Sequence, residues 1–434
     1  MNENKMAIEL IDKINETQIN IIEMLNNTNA DAKEEFLKNS ELAMPVCIYD
    51  NLDVEKVRKN LEILDSVSLD DIALSLKSKE LLGIVFNNSV YSNSFVLANF
   101  EFNNFVGDRN KIAEQHRKYN ELLFGKPEKS TYMNILSYML GKIDTSTLNS
   151  EDKRLYEKLM YMLPELPDKG YMLSAPDREV FNEFRRLALD FYEPLLRHIP
   201  DGETFGMEDI CGVCREILSS ELGGAAEKWQ VVYARERSFA SVDQNERKLI
   251  FPGSRNIPYY TRKKFISLII HELGVHFLRE LTYDDVAIEP MRTGLPGYEA
   301  IDEGIAKVME QAVTDSYEPS GLIHYISIGL ANFYNLSFRE IFEIQKCLQK
   351  LANGLGEGSV YDSVRRALRG TNVLPNNKDL VYYNGAELIW KYIAENIDSP
   401  CLFEDLLLSG KTNIFDQGHQ RIVYELKTGS NFMI

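Results

Sequence analysis

Ile269-Ile270-His271-Glu272-Leu273-Gly274-Val275-His276 is the stretch that decides how this chain reads. Two histidines flank a glutamate inside a run that is nearly continuous in apolar residues from Phe265 to Leu278, the pattern of a buried helix. A second acidic helical stretch, Glu299-Ala300-Ile301-Asp302-Glu303-Gly304-Ile305-Ala306, follows shortly after. Two imidazoles, a carboxylate from another helix and one unengaged glutamate are the parts of a zinc hydrolase site: three ligands, an open coordination position and a general base. Ionisable groups in a buried helix need partners, which also favours a metal over isolated histidines.

The spacing is unusual. The common zinc-helix pattern, H-E-x-x-H, puts its histidines four residues apart on one helical face. Here they are five apart, with Val275 where the second histidine would stand. In an ideal helix five residues separate two side chains by about 140°. A single-turn π-bulge absorbs one extra residue, and Gly274 lowers the steric barrier to such a distortion. The sequence therefore predicts a bulge between His271 and His276, both imidazoles reaching one ion, and Glu272 left to take a proton from water. Glu299, Asp302 and Glu303 compete for the third ligand position, since 299 and 303 share a helical face and 302 lies close by. Gly304 and Ala306 suggest close packing against another helix, which favours Glu303 without deciding the matter. His116, His198 and His419 read as surface or supporting groups, and His324 lies on a downstream helix that could face the site.

The 434 residues suffice for a substantial core in one large or two moderate domains. A net charge of −18 argues against nucleic acid or an anionic membrane as partner, because both require a positive field. No apolar run approaches a membrane span and the N-terminus lacks the apolar stretch of a signal peptide, so a soluble, cytoplasmic protein is expected. Five scattered cysteines do not suggest a disulfide framework, and Cys211 and Cys214 read as two thiols on a helix from about Asp209 to Ser220.

Helical patterns cover about 6–27, 54–66, 69–87, 111–123 and 176–199. Past Gly223-Gly224, Trp229–Ala234 and Lys248–Phe251 read as short strands of a two- or three-stranded patch, with Asp243–Glu246 between them suited to a turn, leading through Pro258 to the histidine helix. An exposed edge of such a sheet can hold a peptide extended by backbone hydrogen bonds. Beyond Glu303 the chain is helical, with a loop near 370–377 and short strand or turn elements expected near Leu380–Tyr383 and the C-terminus.

The H-E-x-x-x-H stretch resembles the tyrosine/phenylalanine carboxypeptidase domain family, which includes the microtubule-associated tyrosine carboxypeptidase and bacterial QEGLA-motif proteins. So do Gly294-Leu295-Pro296-Gly297-Tyr298 followed by Asp302-Glu303-Gly304-Ile305-Ala306, Tyr119-Asn120-Glu121-Leu122-Leu123-Phe124-Gly125-Lys126-Pro127 upstream, and Arg366-Ala367-Leu368-Arg369-Gly370 with Lys378-Asp379-Leu380-Val381-Tyr382 downstream. The resemblance spans roughly residues 36 to 393. It implies one Zn²⁺ held by His271, His276 and Glu303, with Glu272 as base. The family's usual Gln-Glu-Gly-Leu-Ala or Glu-Glu-Gly-Leu-Ala is here Asp-Glu-Gly-Ile-Ala, which leaves the implied ligand intact. Dipeptidyl peptidase III enzymes also use a histidine pair with the extra residue.

The expected fold is mainly α with a small β-sheet (α+β): a helical N-terminal region, 1–175, and a zincin-like metallopeptidase core within 176–434. The expected activity is release of a C-terminal Tyr or Phe from a peptide or protein. Tyr382 and Tyr298 are candidates to stabilise the oxyanion. Arg366, Arg369 and Lys378 are candidates to bind the substrate's terminal carboxylate. Tubulin tails, the family's known eukaryotic target, are strongly acidic, and a chain of this net charge would repel them unless a local basic groove compensates. A catalytically silent metal-binding protein and a zinc aminopeptidase or dipeptidyl peptidase are the alternatives.

Overall fold

Helix signals are followed closely in the computed structural model, which describes residues 10, 13–69, 76–167, 173, 175–234, 240–243, 246–252, 259–283 and 294–427. The starts of the expected 6–27 and 69–87 helices, Gln244 and Asn245 of the turn, and Pro258 lie outside these residues. Helices dominate and only short strands occur, as the periodicity implies. Asp53 caps Val54–Asp65 by accepting from the Lys56 amide, and Asp177 caps Arg178–Leu196 through the Glu179 and Val180 amides. The helix expected over 69–87 continues much further than its apolar pattern suggests, as Leu76–Asn103. No helix among the described residues is long and apolar enough to cross a membrane.

Two compact units emerge. The first joins the N-terminal part, up to residue 174, with Gly321–Leu380. The second joins Ala175–Ser320 with the part from Val381 onward. Residues 321–380 thus cluster apart from the 176–434 region drawn from the sequence. In the first unit, Phe36 is fully buried among Phe338, Phe342 and Tyr361, with the Arg339 guanidinium 3.5 Å from its ring centroid.

The second unit carries two small ladders. β1 (Thr204–Phe205) pairs antiparallel with β5 (Tyr260–Thr261). β2 (Gln230–Ala234), β3 (Ser241–Asp243) and β4 (Lys248–Pro252) form a sheet of order β2-β4-β3. β2 and β4 are parallel, whereas β3 and β4 form an antiparallel pair across the turn that begins at Asp243, whose carboxylate accepts from the Glu246 amide. The expected strands are therefore present, and a third, β3, makes the patch three-stranded, with the turn joining β3 to β4. The region near Leu380–Tyr383 also differs: one 3-10 turn, Asn377–Leu380, leads directly into the helix Val381–Asn396. The last described stretch, Gln417–Lys427, is helical, and residues 428–434, where the expected C-terminal element could fall, lie outside the described residues.

The core of this unit is built by Phe184, Tyr192, Ile210, Phe251, Phe265 and the histidine helix. Cys211 and Cys214 are buried thiols on the helix Met207–Ile217, packed into this core and not bridged. Burial pushes both thiols up in pKa, as expected of inert core cysteines.

Candidate metal centre

The histidine helix begins as α-helix at Arg262–Ile269, becomes π-helical over Ile270–Phe277 and returns to α at Leu278–Leu281. The distortion lies at the position the five-residue spacing demands. Leu273, Val275 and Phe277 are each fully buried, while His271 and His276 remain half-buried. Burying each of those apolar side chains contributes about 1.5–3 kcal/mol. The extra residue in the turn lets the two histidines, five apart, share a direction.

Gly274 acts differently from the sequence expectation. Its φ is not in the left-handed region, so no unusual backbone conformation calls for glycine. What it supplies is room: a Cβ there would lie 2.8 Å from Tyr192 Cε1. The fully buried Tyr192 fills that space and its hydroxyl donates to the Gly274 carbonyl at 2.9 Å. A tyrosine from the 178–196 helix thus props the π-turn from behind.

The turn brings the imidazole rings of His271 and His276 to a centroid separation of 4.8 Å at 81°. Glu303 approaches from the helix Glu299–Val313, and its carboxylate oxygen lies 3.7 Å from His271 Nε2. One ligand atom from each of His271, His276 and Glu303 lies within 4.8 Å of the others, a grouping that could hold a metal ion. Glu303 is fixed by a backbone contact beneath it. Gly304 lies so close to Gly385, on the 381–396 helix, that a Cβ at either would collide with the opposing backbone. The small residue at 304 does mark close helix packing.

Each histidine has its own carboxylate. Asp302, a competing ligand in the sequence, instead accepts from His276 Nδ1 at 2.7 Å. This contact assigns the proton to Nδ1 and leaves Nε2 free to ligate. Burial opposes charge on His276, but Asp302, Glu303 and Glu272 outweigh it and raise its pKa to about 9. Burial likewise works against the Asp302 carboxylate, yet His276 and Arg279 hold its pKa well below the usual range.

On the other side, Glu310 Oε2 lies 3.5 Å from His271 Nδ1 while Lys307 Nζ holds Oε1 at 2.9 Å. Against the effect of burial, His271, Lys307 and Ser267 bring the Glu310 pKa down to about 2. The sequence reading missed Glu310. The available signal was its position seven residues after Glu303, two turns along one helical face.

These carboxylates remain ionised around two imidazoles, so the cluster favours added positive charge where the ligand atoms converge. Two imidazole nitrogens and one carboxylate are also the donor set of catalytic zinc. The residues fit the ion. Glu272 is half-buried beside them and takes no hydrogen bond or ion pair among the described residues. β3, an edge of the sheet, packs against the π-turn.

Tyr298 precedes the first residue of the Glu303 helix, its ring lying over Gly294, where φ is +107° and a Cβ would collide with it. Burial, then Glu299 and Asp302, raises the Tyr298 pKa well above its ordinary value, so the hydroxyl stays protonated. Tyr382 belongs to the same unit; its carbonyl accepts from Ser320 Oγ at 2.7 Å. Arg366, Arg369 and Lys378 lie in the first unit, where Arg366 grips Asp379 with two hydrogen bonds of 2.7 Å. His324 is in that unit too, its Nδ1 2.9 Å from Ser363 Oγ and its pKa lowered to about 4 by burial. His116 and His419 are buried, which rules out only the surface alternative of their reading, and half-buried His198 sits between Glu216 and Glu221.

Residues 256–427 match the family described as microtubule-associated tyrosine carboxypeptidase, a stretch that contains both ligand-bearing helices. No curated protein matches the chain.

Proposed function

Taking residues 256–427 as a member segment of that family, we propose that the protein is a zinc-dependent carboxypeptidase that removes a C-terminal aromatic residue from peptides or proteins in the cytoplasm. The observation that carries this reading is the convergence of His271, His276 and Glu303 across a π-helical turn, with Glu272, which has no hydrogen bond or ion pair among the described residues, beside them. His271, His276 and Glu303 would hold the zinc, which would supply Lewis acidity to a carbonyl and to water. Glu272 is the general base: it accepts the proton of the attacking water and passes it to the leaving amine. Asp302 and Glu310 keep each imidazole in one tautomer and orientation. The protonated hydroxyl of Tyr298 is a suitable donor to the oxyanion, with Tyr382 the other candidate.

The β3 edge is suited to hold the substrate strand extended. A cation must receive the terminal carboxylate. Of the residues the sequence suggests for this role, Arg366 has its guanidinium already committed to Asp379. With a net charge of −18, the chain is poorly matched to a strongly acidic tail. Five free cysteines fit a reducing compartment.

The test is incubation with a C-terminally diverse peptide library, read by mass spectrometry, with zinc and with chelator. Products shortened by one Tyr or Phe, absent with chelator and absent for Glu272→Gln, are expected. Zinc-loaded protein inert towards the whole library would instead indicate a silent metal-binding protein.

A further inference from the structure

Arg279 lies three residues beyond His276 and is buried, its side chain inaccessible to solvent. Burial lowers its pKa, and such a charge persists only where every donor is matched. Its Nε donates to Asp302 Oδ1 at 2.7 Å, on the same carboxylate whose other oxygen holds His276. Its remaining donors turn away from the metal centre. Nη1 donates to the Leu406 carbonyl and to Ser409 Oγ at 3.2 Å, and Nη2 to the Thr412 carbonyl at 3.0 Å. The segment is tied down again by the buried pair of Lys411 and Glu280 at 2.6 Å, and by the Leu295 amide donating to the Lys411 carbonyl at 3.0 Å. Lys411 Nζ also lies 5.8 Å from the centroid of the Tyr298 ring.

We propose that Arg279 is a positioning residue of the metal centre, and that the segment Leu406–Thr412, more than a hundred residues from any ligand in sequence, is a structural part of that centre. Arg279 cannot satisfy its donors unless both Asp302 and this segment are in place. Asp302 in turn fixes His276. Order in the segment and retention of the metal are therefore linked, and by reciprocity each strengthens the other.

The inference rests on the proposed metal site, and its test separates the two. Zinc affinity is measured by chelator competition for wild type, Arg279→Lys and Arg279→Met, beside hydrogen exchange of wild-type amides 406–412 with and without zinc. Loss of a supporting partner of a metal-bound histidine weakens metal binding by roughly 10- to 100-fold. Arg279→Met is expected in that range. Arg279→Lys should recover part of the loss, because an ammonium can still meet Asp302 but cannot reach every carbonyl. The visible spectrum of cobalt-loaded Arg279→Lys should shift as His276 reorients, which a change in global stability alone would not produce. In wild type, zinc should slow exchange across 406–412. Wild type that binds no zinc would overturn the metal reading itself. Wild type that binds zinc, with unchanged exchange across 406–412 or with Arg279→Lys and Arg279→Met binding as tightly, would overturn this inference alone. The exchange arm needs no variant, so it stands even if the substitutions prevent folding.

Discussion

Replacing Gly274 with alanine sets two effects against each other, and the structure decides between them. In an ordinary exposed helix the change stabilises by about 0.8–1 kcal/mol. Here the added methyl would lie 2.8 Å from Cε1 of a fully buried tyrosine ring. Overpacking of that kind typically costs about 1–3 kcal/mol. If Tyr192 retreats to make room, its 2.9 Å hydrogen bond to the Gly274 carbonyl is lost as well, leaving buried polar groups unpaired at about 1–3 kcal/mol. The expected net effect is destabilisation by about 2–3 kcal/mol, measured by urea unfolding of the metal-free protein. Zinc affinity should fall in parallel, because the carbonyl lies between the two histidines. A second background makes the reasoning sharp. In Tyr192→Leu the obstacle is gone, so Gly274→Ala should become neutral or stabilising. Gly274→Ala as stable as the parent while Tyr192 is present would refute the role given to this contact.

Glu310→Gln and Asp302→Asn should each weaken zinc binding by roughly 10- to 100-fold, read by chelator competition, and an unchanged constant in both would remove the supporting-carboxylate account. Gly385→Ala should destabilise by about 3 kcal/mol or more in thermal or urea unfolding, since the new methyl meets the Ala300 backbone rather than a side chain that can turn aside. His116 supplies a pH prediction. It is buried against Phe95, with Nε2 lacking a hydrogen-bond partner among the described residues, and burial lowers its pKa to about 3. The unfolded chain takes up this proton below about pH 6.5 while the folded protein does not, so the group's effect is absent above that pH. Stability should then fall as the pH drops towards 3. At pH 5 the loss is about 2 kcal/mol, and urea unfolding of His116→Phe at pH 7 and pH 5 should show a pH dependence smaller by that amount; equal pH dependence would contradict it.

Local order in the sequence made part of the centre readable. The five-residue spacing sets a geometric requirement that only a distorted helix meets, and the chain between 270 and 277 meets it. Gly304 marked a tight helix contact, although its partner, Gly385, could not be inferred because nothing local encodes a contact 81 positions away. The same limit hid Tyr192 and the 406–412 segment: each reaches the centre by tertiary packing from an element with ordinary periodicity. Asp302 was visible but ambiguous, since adjacent acids on one helix differ by a rotation that only the packed structure fixes. Arg366 shows the reverse problem. Its motif suggests an available guanidinium, whereas a buried aspartate thirteen residues later already holds it.

The π-turn has a consequence beyond the histidine pair. In an unbroken helix, Arg279 would point about 80° away from His271, whereas absorbing one residue brings it to within about 20° of that direction. The bulge thus cancels the rotation of roughly one α-helical step that the extra residue would impose on everything downstream, including the cation that secures Asp302. Ligand and brace share a single register. A deletion of Val275 that returned the turn to plain α-helix would leave Arg279 seven residues from His271, again within about 20° of it, so the bulge lets the longer chain keep the register of a shorter one.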